Sequence, residues 1–438
     1  MLDDLPVTPF HWAIVIVCAF GLMFDVIEAA LGNALSAAFS SPPHQVAAYQ
    51  LSLLLGSIFA GGAIGAPLIG WLADRHGRRP ALGLSLLVLT ATSLMAAASR
   101  DIAWLTFFRF LSGMALGAYP PLMVAYLSDV LPPARRGMLI LLVGAIGFLG
   151  APAVIFLIRW LTPLQPFGLD GWRCALIIGA VGAAIAGAAF RALPESPRWL
   201  FAAGRREESL RVCNRFLRHA GIAPMPLDAA ARVQAAPAAR ARLWFGAAPA
   251  YRSRMLLLCV LYFLGPWATI GFPLLSGAVL AQKGFQLSDS LLYLGVAMLG
   301  PSLGVLLGMT FIDRAERRTT LAVCAIVMAA GGLAFAASRA PLWLMAAGIA
   351  FNLVGSIYIA ALSIYGAELF PTALRATASS AAWAVNRVTS ALVPLALLPL
   401  LKSAGALAML GVIAAALCAS AILVLAFGQR GLSGKPVG

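Results

Sequence analysis

Hydropathy is the strongest constraint on this chain. Twelve apolar stretches follow one another, at roughly 12–38, 47–72, 80–98, 102–127, 138–160, 171–193, 255–281, 289–311, 320–337, 341–365, 377–400 and 405–427. A helix that crosses the hydrocarbon core of a bilayer needs about 20 apolar residues. A lone strand in lipid cannot satisfy its backbone groups, so each stretch is predicted to be helical. Of the 438 residues, 61% are hydrophobic and only 11% charged, whereas a soluble domain carries about 25% charged residues. This composition excludes a disordered chain, a disulfide scaffold and a nucleic-acid-binding domain. The expected fold class is all-α, a polytopic membrane protein of 12 transmembrane helices with the lipid bilayer as its solvent.

The net charge of +15 comes from 31 Lys and Arg against 16 Asp and Glu. Basic charge often marks a nucleic-acid partner, but cytoplasmic loops of membrane proteins also collect Lys and Arg. With both termini inside, the inner segments hold Arg75, Arg78, Arg79, Arg135, Arg136, the arginines from Arg191 to Arg254, Arg314, Arg317, Arg318, Arg375, Arg430 and Lys435. The outer side keeps only Arg100, Arg159, Arg173, Lys283, Arg339 and Lys402. This asymmetry predicts cytoplasmic termini. The start, MLDDLP, is acidic where a cleavable signal is basic. The six cysteines lie far apart, mostly inside apolar runs, and read as small core residues. The four histidines form no ligand set, so no metal is expected. No nucleotide-binding loop is present and no cofactor is expected. Gly300 to Gly304 fits the G-x-S-x-G pattern, but Ser302 lies in an apolar span rather than on a strand-to-helix turn. High Ala and the excess of Arg over Lys point to a bacterial inner membrane.

The chain repeats itself. GWLADRHGRRP (Gly70 to Pro80) follows span two and GMTFIDRAERRT (Gly308 to Thr319) follows span eight, and both contain D-R-x-x-R-R. The same charged turn after the second helix of each set of six implies two pseudo-symmetric halves, 1–193 and 255–438. A cytoplasmic linker, 194–254, joins them. Duplicated halves around a midplane site are typical of secondary transporters. Within the linker, Leu210, Cys213 and Leu217 recur at helical spacing among arginines, which predicts a short amphipathic helix at the inner membrane surface.

GWLADRHGRRP closely resembles the loop signature of the major facilitator superfamily. LPESPRWL (Leu193 to Leu200) resembles the signature shared by its sugar-porter and organic-solute branches. RFLSGMALGAYPPLMVAYLSDVLPPARRG (Arg109 to Gly137) and ELFPTALRATA (Glu368 to Ala378) also fit. The resemblance covers essentially the whole chain and implies the major facilitator fold and transport of a small molecule. It also implies a gate at the cytoplasmic face. Asp74 stands at a helix C-terminus, where the macrodipole disfavours an anion, with Arg75, Arg78 and Arg79 within reach. Asp129, Arg135, Arg136, Glu195 and Arg198 share that face, as do Asp313, Arg314, Arg317, Arg318, Glu368 and Arg375 of the second half. Such a cluster would form when the halves close inside and break when they open. The competing reading is that the arginines only set topology.

Charges inside spans cost about 2.5–3.5 kcal/mol each at a helix centre, so they mark function. Asp25 lies about 20 Å from the inner end of its span and Arg109 about 10 Å from the outer end of its own. In a core of about 30 Å the two are level. A span-one carboxylate level with a span-four arginine resembles the proton-coupling pair of sugar-porter-like symporters; a static packing pair is the alternative. Glu28, three residues after Asp25, shares its helix face, which favours holding one proton between the two. D-x-x-[DE] in span one resembles the aromatic-acid/proton symporters, although MFDVIE departs from their usual wording. Arg387, with Trp383 and Asn386 in span eleven, could bind a carboxylate bidentately or instead partner Glu28 or a carbonyl. Trp267 in span seven and Tyr126 in span four complete the expected substrate site. Span seven is interrupted by Gly265-Pro266 and Gly271 and should be pliable.

The resulting expectation is a proton-coupled symporter that imports a small organic anion, an aromatic or heterocyclic monocarboxylate, as a monomer working by alternating access. An organic-cation carrier, a sugar-type carrier and a non-transporting membrane sensor are the rivals. No catalytic constellation marks an enzyme.

Overall fold

The computed structural model describes residues 5–42, 44–225, 249–312, 315–370 and 372–429. It contains eleven helices long and apolar enough to cross a membrane. The last of them is broken at Gly405, whose φ of +84° is open to glycine but strained for other residues. The break makes it two spans and the total twelve. In chain order, α1 (Pro9–Ala38), α2 (Ala48–His76) and α3 (Arg78–Ala97) are single helices. The fourth span is α4 (Ile102–Leu116) plus α5 (Tyr119–Val130), and the fifth is α6 (Pro133–Phe148) plus α7 (Gly150–Leu164). Span six is α8 (Gly171–Ala189), followed by α9 (Pro197–Ala202) and α10 (Arg206–His219). Span seven is α11 (Pro249–Thr269) plus α12 (Gly271–Gln282), and span eight is α13 (Leu287–Ala297) plus α14 (Gly300–Phe311). Spans nine and ten are α15 (Arg317–Ala337) and α16 (Pro341–Glu368), and α17 (Thr372–Phe427) supplies the last two.

Each two-piece span has a proline in the first turn of its second piece: Pro120 in α5, Pro152 in α7, Pro273 in α12 and Pro301 in α14. A proline there needs no donor for itself, but it leaves a carbonyl of the preceding turn without a partner. In span seven the break falls at Ile270, beside Gly271 as the sequence predicted, whereas Pro266, the other expected interruption, is carried inside α11.

The repeat extends to packing. A Cβ on Gly61 would stand 2.0 Å from the Phe110 carbonyl oxygen and one on Gly65 2.0 Å from that of Met114. The offset that carries Asp74 onto Asp313 carries these glycines onto Gly300 and Gly304, where a Cβ would meet the Ile349 oxygen at 2.6 Å and the Leu353 oxygen at 2.2 Å. Spans two and four, and likewise eight and ten, touch backbone to backbone because glycine removes the side chain between them.

The linker helix α10 does more than lie at the surface. Phe216 is fully buried, its ring 5.0 Å from Phe10 at the start of α1, and Leu210 and Leu217 are buried beside it. Residues 226–248 of the linker lie outside the described residues.

Candidate functional site

The most buried charges within the spans form one closed cluster. Arg109 on α4 donates to the Glu28 carboxylate at 2.5 Å and to the Glu28 carbonyl at 2.9 Å. Ser93 Oγ on α3 donates to the other carboxylate oxygen at 3.0 Å. Arg109 is 1% exposed and Glu28 3%. This corrects the expected pairing of Arg109 with Asp25. α1 is 30 residues long, about 45 Å against a core of about 30 Å, so depth counted from its inner end misplaces a residue. Counted from the outer ends, Glu28 lies about 15 Å in, Asp25 about 20 Å and Arg109 about 10 Å, which puts Glu28 nearer the arginine.

Asp25 makes no hydrogen bond or ion pair among the described residues and is only partly buried; Arg387 is the cation whose charge reaches it. Arg387 projects from α17 onto the first half. Its Nη2 lies 3.4 Å from the Gly117 carbonyl, which is the carbonyl four residues before Pro121 and so has no intrahelical donor. Its guanidinium sits 5.0 Å from the Trp383 ring. Arg387 Nε and Trp383 Nε1 are both buried and neither has an acceptor among the described residues. Asn386 and Trp383 border a cavity of about 20 Å³ with Tyr262, Thr269 and Ser363. Tyr119, at the start of α5, buries a hydroxyl without a partner in the same region.

Two of the expected substrate residues lie elsewhere. Tyr126 is fully buried at the end of the bundle that carries the arginine-rich loops, and its hydroxyl donates to the Pro194 carbonyl at 2.6 Å. Trp267 packs against the core, its ring 6.4 Å from Phe263 one turn back rather than on Trp383. Ser93 and Tyr119 went unrecognised in the sequence. The Gly117-to-Pro121 run was the available signal, since two prolines entering a helix must orphan carbonyls for something polar to meet.

The charges at the end of the bundle that carries the arginine-rich loops gather within each half. Arg78 pairs with Asp129 and donates to the Ala125 carbonyl at 3.0 Å. The backbone N–H groups of Arg78 and Arg79 donate to Glu195 at 3.1 and 3.2 Å, and Ser196 Oγ donates to Asp129 at 2.6 Å. Burial pushes the Glu195 carboxyl above its ordinary range, against the pull of these backbone donors. In the second half Arg317 pairs with Glu368 at 3.2 Å. Both pairs join residues 51 apart in the chain. Tyr365, the counterpart of Tyr126, likewise ties down the chain after the last span by accepting from the Gln429 N–H at 3.0 Å. Arg318 reaches the Gly428 carbonyl at 3.4 Å. Asp74 is exposed and makes no ion pair among the described residues, and its carbonyl accepts from Trp199 Nε1 at 2.9 Å. Arg75 stacks on Trp71, Arg135 is exposed and Arg136 half-buried, and Arg198 lies on α9. Asp313, Arg314 and the Arg375 side chain lie outside the described residues.

Among the described residues, hydrogen bonds between the parts before 194 and after 254 lie at the middle or at the end opposite the arginine-rich loops. Besides Arg387 to Gly117, these are Asn33 to the Met298 sulfur at 3.6 Å, Arg159 to the Ser288 carbonyl at 3.0 Å and Lys402 to the Val46 carbonyl at 3.2 Å.

A duplicated bundle of twelve spans with charges buried at its centre defines a multi-pass membrane transporter of the major facilitator superfamily. The chain belongs to the sugar (and other) transporter family, whose profile matches residues 11–435. It is 27% identical to a candidate metabolite transport protein, YyaJ, of Bacillus subtilis over 89% of this chain and 86% of that one. It is 26% identical to the niacin transporter NiaP of Acinetobacter baylyi over 90% and 88%. Among solved structures, the xylose transporter XylE of E. coli in a partially occluded, inward-open form has the same fold, with a TM-score of 0.79 at 16% identity, covering 98% of this chain and 100% of that one. The chain is a transporter, not an enzyme.

Proposed function

We propose that the protein is a proton-coupled symporter that imports a small organic anion, an aromatic or heterocyclic monocarboxylate, by rocking residues 1–193 against residues 255–438 in a bacterial inner membrane. One observation carries the reading: Arg387 Nε and Trp383 Nε1 are buried N–H donors one helical turn apart, and both lack an acceptor. Leaving such donors unmet is costly, and a charge without its counter-ion more so. A carboxylate supplies acceptors for both, with the Trp383 ring as a face for an aromatic substrate.

Asp25 competes for the same arginine. While Asp25 is ionised, Arg387 is partly neutralised by it; once Asp25 is protonated, the guanidinium is free for the substrate. Proton and anion would then load together and cross as a neutral pair. The Glu28–Arg109 pair, sealed and bonded on both sides, serves as the fixed element of the first half. Asp74, unpaired here, would join the cytoplasmic charges when the inner side closes. The relative named as a niacin transporter is in keeping with an aromatic acid. The family as a whole makes a sugar the second reading, for which Asn386, Thr269 and Ser363 offer neutral hydrogen-bonding groups.

Uptake into proteoliposomes tests the proposal, with labelled nicotinate, benzoate, xylose and choline, with and without an inward proton gradient. Concentrative uptake of a carboxylate, strongly reduced in Arg387→Lys and lost in Arg387→Ala, is expected. Uptake of xylose or choline that survives in Arg387→Ala would overturn it.

A further inference from the structure

A second cavity opens toward lipid rather than toward the central site. It has a volume of about 390 Å³ and lies between spans two, four and eleven, lined by Ser52, Gly56, Ala60, Phe107, Phe110 and Leu395 among others. That volume is within the range of small-molecule sites, about 300–1,000 Å³. We propose that it holds a phospholipid with an anionic headgroup, inserted from the outer leaflet with one acyl chain in the cleft and its ester carbonyl on Ser52.

The lining has the right extent. From Ser52 to Ala60 the cleft follows span two for about 12 Å, most of one leaflet of a core of about 30 Å. It ends below where Gly61 brings spans two and four backbone to backbone. On its far side Gly56 packs against the Ala391 carbonyl oxygen, with a Cβ position 2.8 Å from it. The walls are apolar apart from three hydroxyls. Ser57 donates to the Leu54 carbonyl and Thr106 to the Ile102 carbonyl. Ser52, 1% exposed, has no partner for its hydroxyl among the described residues. Ser52 lies one turn, about 5 Å, below Tyr49, at the depth where the glycerol esters of a phospholipid meet its acyl chains. An ester carbonyl is the acceptor this hydroxyl lacks, and neither an alkyl detergent nor a bare hydrocarbon has one.

The rim fits an anion. Lys402 follows Ala391 and Leu395 on the same face of α17, since eleven and seven residues are close to whole turns. It is exposed, and its one described bond, to the Val46 carbonyl, leaves donors to spare. Arg100 stands three residues before Ala103 of the lining, exposed and without an ion pair among the described residues. The neighbouring Asp101 is occupied in capping α4 through the Trp104 N–H at 2.9 Å. Trp104 and Tyr49, both more than half exposed, flank the rim as interfacial aromatics do. Ser52 to Ala60 precede the linker and Ala391 and Leu395 follow it, so a chain seated here spans the seam that moves in transport.

Native mass spectrometry on the purified full-length protein tests this, with phosphatidylglycerol and phosphatidylethanolamine of identical acyl chains and with the ether-linked phosphatidylglycerol. Wild type is expected to prefer phosphatidylglycerol, and Arg100→Gln or Lys402→Gln to weaken it by about fivefold each. Ether-linked lipid should bind wild type several-fold more weakly than the ester, and Ser52→Ala should erase that difference. Ala103→Leu, at an exposed position that tolerates an apolar side chain, should displace both lipids, whereas Ile185→Phe on α8 should displace neither. Equal binding of the two headgroups, an ester preference that persists in Ser52→Ala, or displacement of the lipid by an equal concentration of free fatty acid would each overturn the assignment.

Discussion

Neutralising Glu28 is the most direct test of how the buried core is built. Arg109 is 1% exposed, and its contact with Glu28 is the ion pair that holds it. Its Nε already lacks an acceptor. Removing one partner of a buried pair costs about 3–5 kcal/mol, because the remaining charge stays in low dielectric. Glu28→Gln keeps an oxygen for Arg109 and an amide for Ser93, so it removes the charge and little else; about 3 kcal/mol of destabilisation is expected. Glu28→Leu also strips the acceptors and belongs at about 5 kcal/mol. The double variant Glu28→Leu/Arg109→Met replaces the pair by apolar groups of similar volume, which is often neutral or stabilising. It should therefore recover most of the loss and unfold within about 1–2 kcal/mol of wild type. Unfolding in one fixed detergent measures all four proteins. A Glu28→Gln cost below about 1 kcal/mol, or a double variant no better than Glu28→Leu, would refute a sealed, charged pair.

Three further outcomes are expected. Asp25→Asn, which breaks no described bond, should fold normally, lose uptake driven by a pH gradient and keep substrate counterflow; concentrative uptake by the variant would move the coupling proton elsewhere. Gly304→Val would drive a Cβ to 2.2 Å from the Leu353 carbonyl oxygen and should cost about 3 kcal/mol or more, whereas Gly411→Ala, with open space around it, should be near neutral in the same unfolding assay. The raised Glu195 carboxyl binds a proton more readily in the folded than in the unfolded state. Its contribution to stability is therefore full below the ordinary carboxylate range and falls as pH rises through the higher folded value, so thermal melts of wild type from pH 4 to 7 should show a downward slope that Glu195→Gln lacks.

Apolar length alone places the twelve spans, because in lipid each segment must satisfy its own backbone and needs no neighbour to do so. The constant offset between Asp74 and Asp313 likewise makes the repeat legible, and the same offset reappears in the Arg78–Asp129 and Arg317–Glu368 pairs. Pro120, Pro152, Pro273 and Pro301 stand at the broken spans, but Pro67 and Pro266 are carried inside their helices, so proline alone does not mark the breaks. What lies beyond a single helix required the tertiary structure. Helical period tells which face Asp25 and Glu28 share and roughly how deep they lie, but not the vertical stagger of α1 against α4. A helix some 15 Å longer than the core can slide by a turn, and one turn decides whether Asp25 or Glu28 meets Arg109. Tyr126 was expected in the substrate site, yet the chain after span six folds back to take its hydroxyl. Arg387 could be read as facing a carboxylate, but only packing brings it beside the Gly117 carbonyl that Pro121 leaves unbonded. Local sequence determined which groups would be short of a partner; the way the spans stack against one another determined which partner each received.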